Sequence, residues 1–159
     1  FLGGLLGGVL AMIVTGFSFG FDYVATPNGG PGTSFVLEVL YTLALCHSVL
    51  TTGTSTDTPN DYFGFAIGGT VLAGAYACAG FDQGSFNPAV TFGINVAHAL
   101  SGSQEAGMHN PSAGAWFLFL LSPFLGALLA VLLFRSTRGR EYREIPPEAD
   151  QHPMYEKAI

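Results

Sequence analysis

Polar and apolar positions come in long blocks along this chain of 159 residues. Residues 1–20 hold no charged side chain, and about 20 apolar residues in a helix suffice to cross a ~30 Å hydrocarbon layer. Residues 21–33 follow with Pro27, Asn28, Gly29, Gly30, Pro31 and Gly32, turn chemistry that predicts a loop outside the membrane. The apolar block 34–54 predicts a second span, and 51–61, with Thr, Ser, Asp57, Pro59 and Asp61, a short loop. A third span is expected at 62–80, a polar connection at 102–112 and a last span at 113–134. Small residues recur one helical turn apart at Gly3 and Gly7, at Gly4 and Gly8, at Gly64 and Gly68, at Gly69, Ala73 and Ala77, and at Gly126 and Ala130. Such spacing lets a second helix approach closely.

The stretch from Gly84 to Gly93 interrupts this pattern. Asn87 directly before Pro88 and Ala89 reads as a helix start: the Asn caps, and the Pro takes the first helical position, where its missing N–H costs nothing. A short helix is therefore expected from Pro88 to about Ser101, presenting Thr91, Asn95 and His98 among apolar residues. Thr91 and Asn95 are four apart and can share a face, whereas His98 is expected at the membrane interface. A helix that begins at membrane depth leaves unsatisfied N–H groups unless they line a cavity or pore, so the start itself marks a permeation or binding site. The tripeptide alone carries little information; its setting between two membrane-length apolar blocks carries more.

With that setting, the chain resembles the aquaporin (major intrinsic protein) family, whose Asn-Pro-Ala box lies between a spanning helix and a half-helix. The resemblance covers residues 1 to about 135, matching the family's third to sixth spanning helices and second re-entrant loop. It includes the Pro123-Phe124-Leu125-Gly126-Ala127 run in the last helix, where neighbouring helices can satisfy the carbonyl that Pro123 frees. It implies an all-α membrane protein: an aquaporin-like half-barrel of four spanning helices plus one re-entrant half-helix over 1–135, followed by a polar tail, 136–159.

Composition agrees with a membrane protein. Only 10% of residues are charged, mean hydropathy is +0.44 and there are 22 glycines. The basic residues Arg135, Arg138, Arg140, Arg143 and Lys157 all follow the last apolar block, so the net charge of -6 says little about partners; no nucleic-acid partner is expected. The Arg cluster should stay on the cytoplasmic side, or the stromal or matrix side of an organelle, which puts 27–32 and 102–111 outside and 51–61 inside. Cys46 and Cys78 fall in apolar blocks and read as packing residues. Position 1 is not Met and no basic segment precedes the first block, so a chain that begins inside a longer protein is expected rather than a signal peptide.

Glu38 is the acid inside the second span, and a carboxyl group at that depth counts as a site unless it reaches the headgroups. The resemblance implies that Glu38 is buried and accepts hydrogen bonds from the re-entrant loop. His47 lies nine positions on, about half a turn round the helix, and reads as an ordinary packed or interfacial histidine. No zinc spacing, Ser-His-Asp grouping or carboxylate pair is present. Neither an enzyme nor a cofactor or metal site is expected.

The chain departs from the family in two ways: it carries a single Asn-Pro-Ala box where the family's pore uses two, and it lacks the usual filter cation. Counted without gaps from Asn87, the positions matching the family's filter are Ala75, Gly84 and Val90, with Val90 in place of the Arg that follows the second box. Two functions stay open. One is a channel for water or small neutral solutes, this chain representing half of the pore and the other half lying elsewhere in the protein or on another subunit. The other is an aquaporin-derived, non-conducting structural subunit of a large membrane complex, suggested by the lone box and the missing Arg. The tail carries Pro146, Pro147 and Pro153 and would be disordered in isolation; if ordered, another surface must hold it, which also favours the second function.

Overall fold

The computed structural model describes residues 1–23, 29–55, 61–81, 83–101 and 110–139, and the account of fold and contacts concerns these. Most of the tail, and parts of the three connecting loops, lie outside the described residues. Among those described there is no strand. The helices are α1 (Leu2–Thr15), α2 (Pro31–Ser48), α3 (Phe63–Cys78), α4 (Pro88–Ser101) and α5 (Ala113–Thr137).

Helix α1 is shorter than the apolar block that encodes it. Gly16 takes a left-handed conformation, φ 66°, and its N–H closes on the Met12 carbonyl, which ends the helix after 14 residues. Residues 17–23 leave the helix and lay Phe21 against Phe119 of α5 in a small aromatic core. Helix α2 begins earlier than predicted, because Pro31 takes the first helical position. It continues past Ser48 as a wider π turn, Val49–Thr54. There Thr51, Thr52 and Thr54 donate to carbonyls of the preceding turn, at 2.8 Å to His47, 2.7 Å to Ser48 and 3.0 Å to Leu50. Hydroxyls that compete for backbone carbonyls loosen a helix of this kind, and the predicted loop at 51 starts only after Thr54.

Two helical stretches are long and apolar enough to cross a membrane, Pro31–Thr54 with 24 residues and Ala113–Thr137 with 25. At 1.5 Å per residue they reach ~36 and ~38 Å. Helices α1 and α3, with 14 and 16 residues, reach only ~21 and ~24 Å. Of the four full-length spans predicted, two are found among the described residues.

Helix α1 packs on α4, and α2 packs on α5 and α3. Glycine makes the first two crossings possible. A Cβ on Gly8 would lie 2.6 Å from the Gly93 carbonyl oxygen, and one on Gly126 would lie 2.8 Å from Thr42 Cβ. Gly4 likewise sits against the Ala89 carbonyl. The stripe on α3 behaves differently: Gly64, Gly68 and Gly69 meet no neighbouring atom, so the crowded crossing expected there is not made within the described chain. The α3 glycine in tight contact is Gly74, against Phe86 and Tyr41.

Polarity runs from inside to outside in the sense opposite to a water-soluble protein. Ser34, Glu38, Thr91, Asn95 and Ser122 are buried, while Leu10, Phe65, Leu72, Phe117, Phe124 and Leu128 are exposed.

Candidate functional site

After α3 the chain turns back, with the Phe81 N–H bonded to the Cys78 carbonyl at 2.8 Å. Two left-handed residues then set its path, Gly84 at φ 52° and Phe86 at φ 53°. Gly84 is required twice, since a Cβ there would be strained and would also meet the Phe86 ring at 2.6 Å. Phe86 is a bulky residue in a conformation that costs on the order of 1–3 kcal/mol, and its surroundings hold it there. Its N–H donates to Glu38 Oε2 at 2.8 Å, its carbonyl accepts from Thr42 Oγ1 at 3.3 Å, and its ring lies 5.5 Å from that of Tyr41 over the gap left by Gly74.

Glu38 is fully buried, and besides Phe86 it accepts from the Ser85 N–H through Oε1 at 2.5 Å. A carboxylate at this depth is stabilised by such charge-assisted bonds, which also fix two consecutive peptide units of the loop. In this structure the Glu38 carboxylate faces the loop and not the outer surface of the bundle. His47 takes no part in this arrangement; its ring packs edge-on against Phe134 at 6.5 Å.

The loop delivers Asn87 to the head of α4, and the helix begins at Pro88 as predicted. Asn87 Oδ1 accepts the Ala89 N–H at 2.9 Å, and its main-chain carbonyl takes the Thr91 N–H at 3.0 Å. With its oxygen committed to the cap, the side chain presents its NH₂ group, a pure donor, from an exposed position. Ala75 and Val90 are exposed as well, Val90 at 38%, and Gly84 is half-buried.

The other polar residues of α4 face inward. Thr91 and Asn95 share a face, as their spacing suggests, and both are fully buried. Thr91 Oγ1 lies 2.6 Å from Ser85 Oγ and 3.2 Å from the Phe119 carbonyl, and Asn95 Oδ1 accepts the Phe21 N–H at 2.7 Å. His98 is packed inside the protein and not on its surface. It is 3% exposed, with Nδ1 3.0 Å from Ser18 Oγ, because the segment after α1 folds over the end of α4. Sequence reasoning missed Thr42, Ser85 and Phe86. Thr42 alone had a readable signal, being one turn from Glu38 on the same face; the left-handed Phe86 had none.

These features define a class: an all-helical bundle with apolar helices long enough to cross a membrane, in which a buried carboxylate anchors a loop that turns back into a short helix. The family model for Major intrinsic protein matches residues 1–134, and the chain belongs to that family. It is an integral membrane protein of a family of channels, not of enzymes. It is 29% identical over 160 residues to a probable TIP-type alpha aquaporin of Phaseolus vulgaris, covering 95% of this chain and 53% of that protein. It is 27% identical to the probable aquaporin TIP1-2 of Oryza sativa subsp. japonica, over 84% of this chain and 49% of the relative. Against an aquaglyceroporin of Toxoplasma gondii the identity is 38%, over 47% of this chain and 25% of that protein. The chain thus spans about half the length of the TIP-type relatives.

Proposed function

We propose that the chain supplies one half of an aquaporin-type pore for water or small neutral solutes. The observation that carries this reading is Asn87: capped through its oxygen, exposed through its NH₂, and set at the positive end of a half-helix. Donors so placed suit a single file of solute oxygens, and the helix dipole disfavours cations. The relatives' names, aquaporin and aquaglyceroporin, support water and small neutral solutes as permeants. In this reading Ala75, Gly84 and Val90 line the narrow part, Glu38 holds the loop, and the half-barrel, residues 1–135, closes against a second aquaporin-like half or another membrane subunit. The Arg cluster at the end of α5 faces the cytoplasm, stroma or matrix.

Stopped-flow swelling of vesicles holding the complete protein tests the channel, with water permeability well above that of empty vesicles expected. Permeability no higher than that of empty vesicles would favour a second reading, a non-conducting structural subunit of a larger membrane complex. The specific observation behind that alternative is Val90 standing where the family carries Arg.

A further inference from the structure

Pro123 sits inside α5 and has no N–H, so the Phe119 carbonyl one turn earlier cannot receive its helical bond. Phe119 is fully buried, and a buried carbonyl without a partner is costly. Thr91, in the first turn of α4, is the side chain that meets it, with Oγ1 at 3.2 Å. The same hydroxyl lies 2.6 Å from Ser85 Oγ, and Ser85 donates its own proton to the Asn87 carbonyl at 2.9 Å. Ser85 donates to Asn87, and the single Thr91 proton is bifurcated, with the shorter arm to Ser85 Oγ and the longer, weaker arm to the Phe119 carbonyl. A line of hydroxyls runs from the carbonyl freed by Pro123 in α5 to the residue whose amide heads the half-helix.

We propose that Thr91 is a positioning residue of the pore and that Pro123 creates the acceptor it uses. The missing helical bond in α5 gives α4 a fixed point on its neighbour, and Ser85 carries that point to Asn87. Thr91 is buried on the inner side of α4 and acts on the solute only through Asn87. This inference rests on the channel reading and adds to it the means by which the height and rotation of the half-helix are set.

The test is a cycle of variants of the complete protein in vesicles: Thr91→Val, Thr91→Ser, Pro123→Ala, and Thr91→Val with Pro123→Ala. The readout is the ratio of urea to water flux, each corrected for the leak of empty vesicles, which does not depend on how much protein folds. Thr91→Val should shift this ratio about three- to tenfold, the worth of one buried hydrogen bond. Thr91→Ser, which keeps the hydroxyl, should stay within about twofold of the wild type. In the Pro123→Ala background residue 123 regains an N–H that can take the Phe119 carbonyl, so Thr91→Val should shift the ratio less than about twofold. An equal shift in both backgrounds, or no rescue by Ser, would overturn the proposal. Wild-type flux equal to that of empty vesicles would overturn the channel reading instead and the positioning role with it. In that case the melting temperatures of the same variants still decide the geometry, since additive changes would show that Thr91 and Pro123 are not paired.

Discussion

The half-helix α4 is built by opposite rules on its two sides. On the inner side, Gly93 meets the backbone of α1 at Gly4, Ala97 is buried close to Gly8, and Thr91, Asn95 and His98 are all buried with hydrogen-bond partners on neighbouring segments. On the outer side, Asn87 and Val90 are exposed, and no hydroxyl or carboxylate fixes the Asn87 NH₂ group among the described residues. The inner side is where the helix is held, and the outer side is where it is available. A half-helix at membrane depth needs both, because its N-terminal N–H groups must be satisfied by protein before its end can be offered to anything else.

The largest effect should come from the inner side. A Cβ at Gly93 would run into the Gly4 carbonyl, which is backbone and cannot swing away. Gly93→Ala should therefore destabilise the protein by about 1–3 kcal/mol or more through overpacking, read as a lower melting temperature in detergent. Gly68→Ala is the matched control: nothing lies near that position, and the better helix former should change stability by less than about 1 kcal/mol. Equal losses at the two positions would mean that the α1–α4 contact is not what holds the half-helix.

Next comes the anchor of the loop. Glu38→Ala leaves the Ser85 and Phe86 N–H groups buried without their acceptor and releases the left-handed Phe86. A loss of about 1–3 kcal/mol is expected. A melting temperature equal to that of the wild type would show that the carboxylate does not support the loop, and would remove the distinction between a held and an available side.

The two sides were not equally legible in the sequence. Asn87-Pro88 announced the helix start because capping chemistry is local, and Glu38 announced itself because a carboxyl group inside an apolar block needs a partner. The glycine stripes could be seen but not assigned. Gly4 and Gly8 close a crossing while Gly64 and Gly68 do not, and spacing cannot say which stripe has a partner within the chain. The end of α1 at Gly16 was hidden within an unbroken apolar block, since hydropathy does not register a left-handed φ. The burial of His98 was not legible because its partner Ser18 lies 80 positions away in sequence. Long-range pairing of this kind has no local signature.

The smallest effect on stability, and the most informative one on function, is expected at Val90. Its side chain is 38% exposed on the outer side, so Val90→Arg should change the melting temperature little, within about 0.5 kcal/mol. Its effect on permeation should be larger. An apolar Val beside Ala75 and Gly84 leaves a wide, uncharged passage in which Asn87 still supplies donors. Such a pore should pass urea or glycerol as well as water. An Arg would return a long cationic side chain with several donors to that space, narrowing it and adding a positive barrier. Solute flux should then fall more than water flux in the same vesicles. If neither flux changes while the protein stays folded, Val90 does not line a conducting path. The outer side of α4 would then be a packing surface for another membrane subunit, and the structural-subunit reading would replace the channel.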